Sequence, residues 1–288
     1  MKKIISLIIV AVAAINVYAA ERRTITAEEA EKFHNTTTYV VLTNDNIILD
    51  AFLNDAVKKS WKITPYKVIG QVEFDKLKTD DKNSFLLITR VVDKKDKRQH
   101  VYLYLSLLMG NKDAETDMNN MPEAGFIPMA CKNQDEEANP IMIEPMVFFV
   151  QKNVENIKNG ILDKNLLLNS QDRMSVYNYN TDNLKGKIIY VDQADVATNM
   201  TTEKINSMFG NNLHVVKSDD ISRIISEKDP KSAIAFTIYP FETNSSSYAY
   251  KMVMSLDGEL YYYYRESKTR NFRFSKKDFD QLRRPYGN

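Results

Sequence analysis

The longest run of one chemically capable residue type is Tyr261-Tyr262-Tyr263-Tyr264. On a strand, alternate side chains point to opposite faces, so Tyr261 and Tyr263 share one face and Tyr262 and Tyr264 the other. Phenol rings offer large contact area at low entropy cost, so one face reads as a binding surface for carbohydrate, peptide or protein. The same string also suits a hairpin clamped under a helix, because tyrosine favours strands. A second candidate surface is acidic. Asp113, Glu115 and Asp117 stand at alternate positions, as ligands do at the start of a calcium loop. That pattern fails at its sixth and twelfth positions, which are Met118 and Ala124 instead of Gly and Glu. The three acids are therefore expected at a docking surface.

Other reactive residues are sparse. His34, His100 and His214 each stand alone among apolar or neutral neighbours, so a structural role is expected of each. Cys131 is the only cysteine; it reads as a small buried hydrophobe, and no internal disulfide can form. The closest glycines, Gly110 and Gly125, are too far apart for a phosphate-cradling loop. There is no Gly-x-Ser-x-Gly elbow and no His-Glu-x-x-His. No catalytic residue, metal ligand or cofactor is expected.

The elements that hold the two candidate surfaces form an internal repeat. Sliding the chain by 148 residues sets Val40-Val41 on Ile188-Ile189, Ile48 on Val196, Phe52 on Met200, Val57 on Ile205, and Trp61 on Phe209. The same offset sets Tyr102 on Tyr250 and Gly110 on Gly258. The match lies in apolar positions rather than identities. Each copy reads strand, helix, strand, helix, strand, strand, which predicts parallel βαβ units with right-handed crossovers and antiparallel edges. Asp257-Gly258 predicts a two-residue hairpin that sets Met254 opposite Tyr261, Val253 opposite Tyr262, and Met252 opposite Tyr263. In the first copy an insertion over 111–140 is expected to replace that turn. A strand is expected over 141–151, then a helix over 153–162. The fold class is thus α/β with mixed sheets: a first repeat over 20–162, a linker over 163–185, and a second repeat over 186–288.

Residues 1–19 have the layout of a cleavable secretory signal: Lys2 and Lys3, the apolar run Ile4 to Ile15, and Val17-Tyr18-Ala19 before the cut. The run is shorter than the ~20 residues a spanning helix needs. No transmembrane anchor is expected in the mature chain. The 39 basic residues, less Lys2 and Lys3, leave 37 against 38 acidic ones. So even a balance gives no general attraction to nucleic acid. It is uneven locally, with an acidic stretch over 110–144 and a basic tail over 265–288.

The stretches Asn183-Leu-Lys-Gly-Lys-Ile-Ile-Tyr-Val191 and Trp61-Lys-Ile-Thr-Pro-Tyr-Lys67 resemble those of exported proteins from Bacteroides-type bacteria. The repeated αβ units with trailing hairpins are similar to the amino-terminal domain of TolB. The resemblance implies a place in the periplasm or at the outer surface and brings no site residues. The expected function is a non-enzymatic envelope protein that binds another macromolecule, an envelope protein being the expected partner. The alternatives are a small-ligand binder with its site between the repeats, and a hydrolase without a local motif.

Overall fold

The structure is a computed structural model that describes residues 16–18, 22–43, 46–92, 100–131, 140–162, 174–240, 248–266 and 272–287. The rest of the expected signal, residues 93–99, and parts of the segments 111–140 and 163–185 lie outside the described residues.

The first repeat contains β1 (Asn16–Tyr18), α1 (Ala27–Phe33), β2 (Thr37–Leu42), α2 (Ile47–Ser60), β3 (Tyr66–Gly70), α3 (Gln71–Leu77), β4 (Asn83–Val92), β5 (Val101–Met109), β6 (Glu123–Cys131) and α4 (Ile143–Lys158). The second contains β7 (Ile188–Asp192), α5 (Thr202–Phe209), β8 (Leu213–Val216), α6 (Ser218–Glu227), β9 (Ser232–Ile238), β10 (Ala249–Ser255), β11 (Leu260–Glu266) and α7 (Lys276–Leu282). The sheets run β3-β2-β4-β5-β6 and β8-β7-β9-β10-β11 in space. The topology is the same in both, with a parallel βαβ part and two antiparallel strands. The α/β class and the paired repeats expected from the sequence are what the structure shows.

Helices cover both faces of each sheet. On one face of the first sheet, Val40, Leu86 and Leu107 pack with Leu53 and Val57 of α2 and with Val147, Val150 and Val154 of α4. On the other, Val41, Phe85, Leu87 and Leu108 pack with Phe74 of α3. In the second sheet, Ile189, Val191, Ala233 and Val253 pack with Ile205 and Phe209 of α5 and with Phe279 and Leu282 of α7.

A single offset does not relate the copies. Val40, Leu86 and Leu107 are in register across β2, β4 and β5, as are Ile189, Ala233 and Ser255 across β7, β9 and β10. The spacings between them are 149 (189 − 40), 147 (233 − 86) and 148 (255 − 107). A shift of one residue turns a side chain to the other face of a strand, so the uniform offset pairs opposite faces in β2 and β4.

Three expectations about the first repeat are corrected. Residues 141–151 are not a strand. Ile143, Met146, Val147, Val150, Val154 and Ile157 are buried on one stripe of a single helix, α4. The helical spacing outweighs the β-branched and aromatic character of Met146 to Val150, and Pro145 is tolerated in the first turn. The helix expected at 153–162 is the end of the same α4. The segment 111–140 is no simple insertion either. It holds two 3-10 turns, Lys112–Glu115 and Met118–Asn120, and then β6, buried along its whole length. β5 and β6 thus form the counterpart of the β10–β11 hairpin, with a longer turn. The second half of the linker is a 3-10 segment, Ser175–Leu184, in which Asn180 donates to the Leu260 carbonyl of β11 at 2.8 Å.

The hairpin at Gly258 forms with Val253 opposite Tyr262 and Met252 opposite Tyr263, as expected. A bulge then sets Met254 opposite Leu260 instead of Tyr261. Gly258 has φ +81°, and a Cβ there would lie 2.5 Å from the Phe149 amide nitrogen of α4. The hairpin tip therefore rests directly on the first repeat, where Lys152 pairs with Asp257 at 3.3 Å and Glu259 at 3.4 Å.

The repeats share a core. Tyr104 stacks on Phe126, and its hydroxyl meets the Tyr250 hydroxyl at 2.6 Å. The Tyr102 hydroxyl donates to the Tyr248 carbonyl at 2.8 Å and accepts from the Tyr248 amide at 3.1 Å. The Tyr102 and Tyr250 rings meet edge to face at 5.7 Å. These two residues are matched by the repeat, so equivalent positions of the two copies meet in the shared core.

Candidate functional site

The tyrosine string does not form the expected surface. Tyr261, Tyr262 and Tyr263 are buried, and only Tyr264 keeps partial exposure. The physical reason is that both faces of β11 are covered. Tyr263 faces Tyr250 and the first repeat. Tyr262 lies under α7 and donates to Asp278 at 2.8 Å. Asp278 also accepts from Lys251 at 2.8 Å and from the Ser275 amide and hydroxyl at 2.7 Å. Burial and the neighbouring Asp278 carboxylate push the Tyr262 hydroxyl well above its ordinary range. Tyr264 is held by Lys277, whose ammonium lies 4.6 Å from its ring centroid. Lys, Tyr and Ser here form a closed structural clamp without access to a substrate.

Asp113, Glu115 and Asp117 are exposed, as a docking surface needs. Asp117 also caps the second 3-10 turn by accepting from the Asn119 amide at 2.9 Å. Among the described residues, no group of three or more His, Cys, Asp or Glu could hold a metal ion. His34 meets Glu155 at 3.0 Å, His214 packs on the Tyr190 ring, and Cys131 is buried. The three histidines are spread over separate elements.

A surface missed by residue-type searching is apolar. Ile48 and Phe52 of α2 are each 44 % exposed, Val68 of β3 is 43 %, and Val72 of α3 is 68 %. Tyr66 of β3 is also exposed. Ile48 and Phe52 are four apart, hence on one flank of α2. Asp50, on the opposite flank, lines a crevice with Ile88, Arg90 and Leu103 of β4 and β5. The Ile48–Phe52 flank therefore stands over the β3 side of the sheet. Val68 pairs with Val40 and so projects on that same α2 face. β3 is also an edge strand, with one row of backbone groups not engaged in the ladder.

The second repeat supplies an internal comparison. In its helix α5 the apolar residues Ile205 and Phe209 are buried. The exposed positions of α5 are polar: Glu203, Lys204, Asn206 and Ser207. The edge strand β8 is half-buried apart from the buried Leu213. An apolar exposed edge is thus not a requirement of the fold. The sequence signal was present: Ile47, Ile48, Leu49, Phe52 and Leu53 put apolar groups around α2, more than one buried stripe can take.

The crevice beside Asp50 is a second feature. It is a small, open crevice lined by Thr43, Asn46, Leu49, Asp50, Ile88, Arg90 and Leu103. It lies at the carboxyl ends of β2 and β4, where the strand order reverses, the usual ligand position in such sheets. The corresponding place in the second repeat is filled. There Asp195 accepts from the Thr237 amide at 3.1 Å and from its hydroxyl. Burial raises its carboxyl from 3.8 to about 6, partly opposed by those two hydrogen bonds.

No family model, curated protein or solved structure matches this chain.

Proposed function

We propose that the chain is an exported protein of a bacterial envelope that binds another macromolecule through the β3 edge of its first repeat. The observation that carries the reading is the exposed apolar strip Ile48, Phe52 and Val68 beside an edge strand, where the second repeat has polar exposed helix positions and a half-buried edge strand. A large hydrophobic patch kept exposed on one copy alone marks an interaction site. Edge strands pair readily with an added strand, and flanking apolar side chains give such pairing its specificity. Export is supported by Lys2, Lys3 and the apolar run to Ile15. Residues just past the expected cut are held in the fold in their own right. Arg22 pairs with Glu123 in a buried contact, Arg23 pairs with Glu29, and Thr26 caps α1. Among the described residues, no helix is long and apolar enough to cross a membrane.

The test is crosslinked affinity capture from an envelope extract, beside a Phe52→Gln/Val68→Thr variant. The substitutions are at exposed positions, so stability should change by less than about 0.5 kcal/mol each. The expected result is a captured protein lost from the variant. The same proteins on both baits would remove the β3 edge from consideration. A second reading, a small-ligand binder, is favoured by the crevice at the strand ends of the first repeat. A ligand that raises Tm for the parent chain and not for Leu103→Trp would support it.

A further inference from the structure

The two repeats finish the same strand edge in different ways. β4 extends past the end of β2, and the freed edge at Arg90–Val92 is taken by β1, which pairs in parallel: Asn16 with Arg90, Val17 with Val91, Tyr18 with Val92. In the second repeat, β9 likewise extends past β7, and its counterpart residue is Thr237 (90 + 147). Among the described residues no strand lies there; the Asp195 side chain accepts from the Thr237 amide instead. The counterpart of Asp195 in the first repeat is Asn46 (195 − 149). Its side-chain oxygen is engaged elsewhere, capping α2 through the amides of Ile48 at 3.1 Å and Leu49 at 3.0 Å. Among the described residues, then, Asn46 does not serve as Asp195 does, and residues 16–18 pair with this stretch of β4.

Resting on the export reading above, we infer that cleavage after Ala19 vacates this seat, and that the processed protein uses it to bind an extended peptide segment, which adds to β4 in parallel as residues 16–18 do in the full chain. Removing β1 uncovers backbone groups that a strand can satisfy at once, and water must otherwise. By the equivalence with Thr237, the Arg90 amide faces the seat and the Val91 amide faces β5. A bound segment would run beside the crevice that Ile88, Arg90 and Leu103 line, which gives its side chains a place to reach. The β3 edge lies on the far side of β2 from this seat, so the two surfaces are separate.

The experiment begins with amino-terminal sequencing of the protein exported by its native host. The processed chain from Ala20 is then titrated against a fluorescein-labelled peptide Ala14-Ile-Asn-Val-Tyr-Ala-Ala20, read by anisotropy. A chain that begins at Ala14 and so carries its own β1 is the comparison. Saturable binding to the processed chain, at least tenfold weaker to the longer one, is expected. Arg90→Pro removes the amide facing the seat and leaves the β5 ladder intact, so it should abolish binding with the far-ultraviolet circular dichroism unchanged. Should that variant unfold, Asn46→Asp/Arg90→Thr copies the second repeat's Asp195–Thr237 contact and should weaken binding at least tenfold. A first residue other than Ala20 would sink the export reading and this inference together. Cleavage at Ala19 with no binding, or equal binding to both chains, would overturn the inference alone. A dimer of the processed chain that excess peptide does not dissociate would assign the seat to a second copy and overturn it as well.

Discussion

At the residue scale, the side chains with most chemical promise are used for holding the fold. Lys251, Asp278, Tyr262 and Ser275 meet in one buried network that fastens α7 to the β10–β11 hairpin. A buried carboxylate needs several partners to offset lost hydration, and Asp278 has them. Asp195 is less well supplied, and its carboxyl rises from 3.8 to about 6. The folded state therefore holds a proton that the unfolded state has already released between these values, so stability falls as pH rises through that window and levels off above it. The full rise would correspond to roughly 3 kcal/mol. Asp195 keeps partial exposure, so about 2 kcal/mol is the expected loss. Urea denaturation from pH 4 to pH 7 should show that slope, and Asp195→Asn should remove most of it, because the amide can still serve Thr237. An unchanged slope in the variant would assign the pH dependence to other carboxyls.

Among the elements, the β10–β11 hairpin has the strongest local signal and the most consequential contact. Asp257-Gly258 sets the turn, and φ +81° at Gly258 suits glycine alone among common residues. The turn also lies where α4 leaves no room for a Cβ. Gly160 has a similar φ, +68°, with nothing within 4 Å. Gly160→Ala should thus cost about 1 kcal/mol, from backbone strain alone. Gly258→Ala should cost about 3 kcal/mol, since overpacking is added to that strain. Equal losses in urea denaturation would show that α4 gives way without cost. The helix α4 shows the opposite balance between local signal and packing. Its aromatic and β-branched run favours a strand locally, and only packing along the β6 and α2 faces selects the helix.

For the whole molecule, the contacts between the two repeats predict one cooperative unfolding unit. Tyr102 and Tyr104 meet Tyr250 and Tyr248 across the repeats, and the hairpin tip sits on α4. Trp61 is the only tryptophan and lies in the first repeat, so its fluorescence follows that repeat while circular dichroism follows both. The two urea transitions should coincide in the parent chain. Tyr250→Ala, which removes the ring between the copies, should separate them by at least ~0.5 M, given typical denaturant slopes. Two resolved transitions in the parent would show that the shared core is too weak to couple the repeats.

The sequence by itself determined the alternating strands and helices, the repeat, the mixed α/β class and the Gly258 turn. These follow from local periodicity and backbone conformation, which neighbours along the chain decide. Tertiary structure alone decided which apolar residues stay exposed. Phe52 and Val68 stay exposed at the edge of the first repeat, whereas the apolar residues Ile205 and Phe209 of α5 are buried. On the helices themselves, Phe209 of α5 is only 3 % exposed where Phe52 of α2 is 44 %, because burial depends on what the rest of the chain places against a face. The tyrosines of β11 teach the same lesson in reverse: the string is conspicuous in the sequence, but α7 and the first repeat cover it from both sides. The fate of the β4 edge was equally hidden, since Asn46 and Asp195 differ by one atom type and only their surroundings turn one to a helix end and the other to a strand.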